Sequence, residues 1–184
     1  MSEAATQMVK NVLLSSQVDK IKPFSIGGFT LSPCYYRGLA GFMMLGSPTV
    51  VYDYTYSGEA EYRPGSNKLI IGFESIGYNE NRGIIIHEAT HAVCDMLKIK
   101  MIRGDAEAMA YIAQCQFMRA NFGDWGLTDP DPIINEIFRK AWILGNMILD
   151  GETPSVFDYA NLVQTISTHS DYSRAFQMAN YKGI

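Results

Sequence analysis

Apolar residues close in on one short polar turn near the middle of the chain. From Gly83 the order runs Ile84-Ile85-Ile86-His87-Glu88-Ala89-Thr90-His91-Ala92-Val93, with Met96 and Leu97 beyond. Aliphatic residues on nearly every side of a helical stretch predict a helix buried over most of its surface. Its start falls near Asn79 to Asn81, where an asparagine suits the cap position. Upstream, Met8, Val12, Leu13 and Val18 recur loosely at helical spacing and predict a helix over residues 4–21, closed by Pro23. Gly27-Gly28 breaks the pattern. Ser32-Pro33 then marks a helix start, with Pro33 at the first helical position, leading through Cys34 to Ala40. Between these helices the period changes. Residues 49–56 are rich in β-branched and aromatic side chains and read as a strand, Arg63 to Asn67 as a turn, and Lys68 to Phe73 as a second strand.

Helical periodicity returns after the polar turn. Arg103-Gly104-Asp105 reads as a turn, with Asp105 the N-cap of a helix over 106–120. Asp131-Pro132 opens another helix that carries Ile133, Ile137, Leu144 and Ile148 and stops at Asp150-Gly151. Thr153-Pro154 opens a fourth over 154–167, and Ser170 or Asp171 a short last one reaching about Asn180. The expected fold class is therefore α+β: a small N-terminal sheet packed on the buried helix, followed by a mostly helical C-terminal part. With no repeat, low-complexity tract or linker, residues 1–184 are expected to form a single domain.

Composition narrows the functional classes. Nearly half of the 184 residues are apolar and 18% are charged, as in soluble globular proteins. A net charge of -4 offers no basic patch to a phosphate backbone, so nucleic acid is not an expected partner. No apolar run approaches the ~20 residues of a membrane span, and Met1 to Ala5 lacks the basic start and apolar core of a secretory signal. Cys34, Cys94 and Cys115 are odd in number and widely spaced, which fits buried thiols in a reducing compartment; the expected location is the cytoplasm, although export without a cleaved signal would look the same.

The chemistry sits in His87-Glu88-Ala89-Thr90-His91. Four residues make about one helical turn, so the two imidazoles project from one face, and two neutral imidazoles so placed can bind one metal ion, zinc above all. Glu88 points about 100° away from His87. That is too far round to be a ligand and near enough to take a proton from a water polarised by the ion. The chain holds only three histidines, two of them here, so the pattern is more specific than short motifs usually are. A catalytic zinc generally takes three protein ligands and keeps one position open. Glu107, early in the following helix, can fold back beside the imidazoles; the competing role is an acid complementing the helix dipole. Asp105 is the rival ligand, weakened by its expected duty as a cap. Asp95, one turn beyond His91, shares the histidine face and could orient a ligand. Tyr111, one turn after Glu107, and His169, in a break between helices, are candidates to donate a hydrogen bond to an oxyanion, with Tyr172 a weaker one. Arg103-Gly104-Asp105 also spells an adhesion tripeptide, which is better explained as turn and cap.

Through His87-Glu88-Ala89-Thr90-His91 the chain resembles the zincin metallopeptidases, and over roughly residues 68–115 it is most similar to the gluzincin branch, whose third ligand is a glutamate on a following helix. The metzincin pattern is absent, since its glycine and third histidine positions hold Cys94 and Leu97. The chain departs from ordinary gluzincins in its short gap of fifteen residues between His91 and Glu107, with no Asn-Glu pair before the ligand. The resemblance implies a zinc metallopeptidase acting on a peptide or protein substrate, with a sheet above the site whose edge strand pairs with extended peptide; Lys68 to Phe73 is the strand expected there. A zinc-dependent amidase on a non-peptide substrate and a zinc-binding interaction protein without turnover are the alternatives. Glu88 argues against the latter, because a structural site needs no base.

Overall fold

The structure, a computed structural model, describes residues 2–56, 59–123, 132–172, 174–179, 181 and 183. It is α+β. Helix α1 (Ser2–Leu13) is followed by β1 (Phe24–Ile26), β2 (Phe29–Leu31) and α2 (Pro33–Met44). Then come β3 (Thr49–Tyr52), β4 (Ala60–Arg63) and β5 (Lys68–Ile71), and after them α3 (Asn79–Met96), α4 (Arg103–Phe122), α5 (Pro132–Leu149) and α6 (Val156–Ser167). A single 3-10 turn, Ser170–Tyr172, stands where a short last helix was expected, and Asn180 lies outside the described residues, as does Asp131, the expected opening of α5. Among the described residues no helix is long and apolar enough to cross a membrane.

The first expected helix is shorter than its pattern. α1 ends at Leu13, and Val18 belongs to a separate 3-10 turn, though Val12, Leu13 and Val18 are all buried. Gly27-Gly28 does more than break a pattern. Both glycines take positive φ (59° and 80°), the geometry of a two-residue turn that matches strand twist, and they join β1 to β2 as a hairpin with Phe24 opposite Leu31. Ser32 is the N-cap of α2, with Pro33 in the first turn, as the sequence indicates.

The three-stranded sheet corrects one expectation. Its order is β3-β5-β4, with β5 parallel to β3 and antiparallel to β4. The Lys68 strand, expected at the edge, is therefore central and paired on both sides; its side chains Leu69, Ile70 and Ile71 are all buried, as a middle strand requires. The edge nearest the motif helix is β4, a strand not anticipated from the sequence.

Two expectations about caps also give way. The residue before α3 is Tyr78, and no side chain caps the helix; Asn81 instead donates to the Ser75 carbonyl at 2.8 Å. Arg103-Gly104-Asp105 is the first turn of α4 itself, after Ile102, so Asp105 is no cap. Gly104 is there for packing: a Cβ on it would lie 2.7 Å from Val163 Cγ1 of α6 and 3.2 Å from the Ala175 carbonyl. Likewise α6 starts two residues later than expected, at Val156, behind a reciprocal Ser155–Asp158 capping box.

α3 and α4 pack antiparallel, with Gly83 against Gln114 and Met118 at one end and His91 beside Glu107 at the other. The rotation of α3 is fixed from α2. Tyr36 and Thr90, both fully buried, share a 2.7 Å hydroxyl hydrogen bond, while Thr90 donates to the Ile86 carbonyl at 2.8 Å. Turned this way, α3 presents Ile85, Ile86, Ala89 and Val93 to the core and its histidines to a cleft.

Candidate metal centre

His87, His91 and Glu107 converge, with one donor atom from each lying within 4.8 Å of the others. Both Nε2 atoms stand 3.4 Å from Glu107 Oε2, and the three side chains expose only 10%, 11% and 20% of their surface. Donors about 2.1 Å from a tetrahedral ion lie roughly 3.4 Å apart, the edge of the tetrahedron. The spacing therefore fits a cation with nitrogen and oxygen ligands, and the group could hold a metal ion. Asp105 is outside it.

Outer contacts set the orientation of each ring. His87 Nδ1 lies 3.2 Å from Gln114 Oε1 and His91 Nδ1 lies 3.0 Å from the Tyr181 hydroxyl. When Nδ1–H donates to these oxygens, each Nε2 is left with a lone pair aimed at the shared centre, the arrangement seen around metal-bound histidines. The Tyr111 ring stands edge-on to His87 at 4.5 Å and is backed by Phe138 at 5.0 Å, so His87 cannot swing away.

His91 and Glu107 shift each other's charge states. Burial favours a neutral Glu107, but the His91 charge and hydrogen bonds from both imidazoles outweigh it and hold this carboxyl well below the usual range. Burial also opposes a charge on His91, yet the Glu107 carboxylate, and then Glu88, push its pKa up to about 9. Without an ion, a proton on the His91 imidazole thus balances the Glu107 carboxylate at neutral pH. Burial raises the Glu88 carboxyl, against the opposing charges of His87 and His91. Its Oε2 accepts the Tyr62 backbone N–H at 2.6 Å, which leaves Oε1 as the freer oxygen.

These groups lie in a cleft of about 860 Å³. One wall is β4 and its turn, Ala60 to Ser66; the other contains Arg103 and Ala106 of α4 and, from the C-terminal segment, Asp171, Tyr172, Ala179 and Tyr181. Neither His169 nor Tyr111 is part of the lining. His169 is buried, with Nδ1 accepting the Asp171 N–H at 3.2 Å and its ring 5.5 Å from that of Tyr172. Tyr111 sits behind His87 and shares a 2.8 Å hydroxyl hydrogen bond with Tyr172. Tyr172 is the one of the three candidate donors that reaches the cleft. Burial pushes its hydroxyl well above the ordinary value, so it keeps its proton at neutral pH.

Asp95 is buried one turn past His91, and accepts the Tyr62 hydroxyl at 2.7 Å and the Gly183 N–H at 2.8 Å. It ties β4 and the C-terminal segment to α3. Tyr62, Gln114 and Tyr181 are the hydrogen-bonding neighbours of the cluster and of Glu88 that sequence reasoning missed. Only Gln114 left a signal: Glu107, Tyr111 and Gln114 follow at i, i+4 and i+7 on one face of α4. Comparison with models of known protein families, with curated proteins and with solved structures gives no match.

Proposed function

We propose that the chain is a zinc-dependent hydrolase of the zincin kind, nearest the gluzincin branch, that cleaves peptide bonds with Glu88 as general base. The observation that carries the reading is the pair of 3.4 Å separations between Glu107 Oε2 and the two imidazole Nε2 atoms, beside a carboxylate that is not part of the trio. Two nitrogens and one carboxylate oxygen, with a cleft on the remaining side, suit zinc with one position open to solvent. When bound there, zinc supplies Lewis acidity to a water and to the substrate carbonyl.

The residues of the chain supply the rest. Glu88 is held by the Tyr62 N–H through one oxygen, which aims the other to accept a proton and hand it to the leaving amine. Its raised proton affinity brings this exchange closer to neutral pH. The Tyr172 hydroxyl, supported by Tyr111, donates to the carbonyl oxygen as negative charge gathers on it. The outer edge of β4 offers the backbone groups of Ala60 and the Tyr62 carbonyl to an extended peptide, since groups on a strand alternate direction and the Tyr62 N–H already points away from β5.

Glu88→Gln is the direct test. Zinc content should remain one per chain, while cleavage of a mixed peptide substrate, followed by mass spectrometry, falls by ~10²–10⁴. A variant that keeps its activity, or that loses its zinc, removes Glu88 from this role. Wild-type protein with stoichiometric zinc that opens non-peptide amides but no peptide would replace peptidase with amidase.

A further inference from the structure

We infer that Arg103 is a carboxylate-binding residue of the cleft, selecting substrates with a free carboxylate within about two residues of the bond to be cleaved. This rests on the hydrolase reading above, because the cleaved bond fixes where along the cleft the substrate lies.

Three residues of α4 line the cleft, Arg103, Ala106 and Glu107, at the i, i+3 and i+4 spacing of a single helix face. Glu107, at one end, belongs to the metal cluster. Arg103, at the other, stands one turn towards the helix N-terminus, about 5–6 Å along the axis. Between them Ala106 is small and buried, so the helix face itself raises no wall between the guanidinium and the metal cluster.

The guanidinium is available. Arg103 is exposed, and its side chain makes no ion pair or hydrogen bond among the described residues. The other arginine in the lining, Arg63, is paired with Glu61 at 2.7 Å. Glu107, one turn away and able to reach back at i+4, is turned to the two imidazoles instead. The base of the arginine is fixed by its backbone, whose N–H donates to the Gln177 carbonyl at 2.8 Å, while the Gly104 N–H goes to Ala175. These two backbone donors are thus in use, and the side chain is what is left to face a ligand.

The ligand class follows from the donor. A planar, permanently charged guanidinium beside a peptide cleft matches a carboxylate, with two parallel hydrogen bonds. An extended peptide advances about 3.3 Å per residue, so one helical turn corresponds to one or two residues from the scissile carbonyl. The carboxylate can be the C-terminal one of a peptide or the side chain of an aspartate or glutamate.

The test measures binding without turnover. Zinc-loaded Glu88→Gln protein, and the same protein with Arg103→Gln, are titrated calorimetrically with three peptides: acetyl-tetraalanine as free acid, its C-terminal amide, and the amide with aspartate at the last position. In the parent the free acid should bind roughly tenfold more tightly than the amide, and Arg103→Gln should erase the difference. Tight binding by the aspartyl amide as well would assign the preference to any carboxylate at that place; tight binding by the free acid alone would assign it to a C-terminus. Equal binding of all three, a preference that survives Arg103→Gln, or no binding at millimolar concentration overturns the inference. Peptide cleavage by the wild type is scored separately. Loss of that activity class leaves the carboxylate preference standing, and loss of the preference leaves the hydrolase standing.

Discussion

His87 and His91 project from one face of the same helix, but their rings are held by different parts of the molecule. His87 is held from within the helix pair: Gln114, only 3% exposed, meets its Nδ1, and Tyr111 and Phe138 back its ring. His91 is held from the C-terminal segment, through the Tyr181 hydroxyl. That segment is attached by backbone hydrogen bonds from Ala179 to Met101, from Arg103 to Gln177 and from Gly104 to Ala175, and by the Gly183 N–H to the Asp95 carboxylate. One imidazole is thus positioned by dense side-chain packing and the other by a thin strap. The difference teaches that the two imidazoles, equivalent in the motif, should differ in how costly their supports are to remove.

Glu107 is common to both sides, and removing its charge should have the largest effect. Glu107→Gln should lower zinc affinity by more than the ~10–100-fold that an outer partner contributes, as measured by competition with a chromophoric chelator. A loss no greater than that of the outer-contact variants would mean that Glu107 is not a ligand. Gln114→Ala comes next. It should cost zinc affinity near ~100-fold and also lower the unfolding free energy by ~1–3 kcal/mol, since a buried imidazole N–H loses its acceptor. Tyr181→Phe should cost only ~10-fold in affinity and leave the melting temperature unchanged, because it removes one hydroxyl from a segment near the chain end and keeps the ring. Equal losses for Gln114→Ala and Tyr181→Phe would abolish the distinction between the two supports.

The smallest effect concerns the protein without metal. His91 titrates at about 9 in the fold, against an ordinary value of 6.5. Its protonated form therefore adds stability that is fully present below pH 6.5 and is lost as pH rises towards 9. Glu107 is shifted the other way, so its contribution is present above pH 4.5 and is lost only on further acidification. Across pH 6.5 to 9, metal-free protein should melt at progressively lower temperature, and the stabilisation gained on adding zinc should widen. Calorimetric scans with and without zinc measure that gap. A constant gap over this window would mean that His91 and Glu107 are not paired when the metal is gone.

What could be read beforehand followed the same division. The buried helix with its two imidazoles and the Glu88 carboxylate between them was legible in Gly83 to Val93, because aliphatic residues surround one polar turn at fixed spacing. Glu107 was legible too, since a short connection brings the next helix back alongside. Arg103-Gly104-Asp105 misled, because glycine beside aspartate has the composition of a turn. The glycine is in fact dictated by Val163 and Ala175, which approach it from distant parts of the chain. β4 was hidden because only Tyr62 of its four residues is buried, leaving little alternation to detect. Gly27-Gly28 did carry a hairpin signal, in two adjacent residues tolerant of positive φ, but its strands are only three residues each. Tyr181 carried none, for nothing local distinguishes it from the other ten of the eleven tyrosines.

The unequal supports also have a place in time. His87 finds Gln114 across 27 residues, whereas His91 finds Tyr181 across 90. A chain emerging residue by residue from the ribosome holds both imidazoles, the third donor and the first support once residue 114 has been made. Closing so short a loop between neighbouring helices is quick, and it demands nothing from the rest of the protein's synthesis. The growing chain can therefore assemble the three donors and the first support early, and Tyr181 arrives afterwards to close over a cluster already formed.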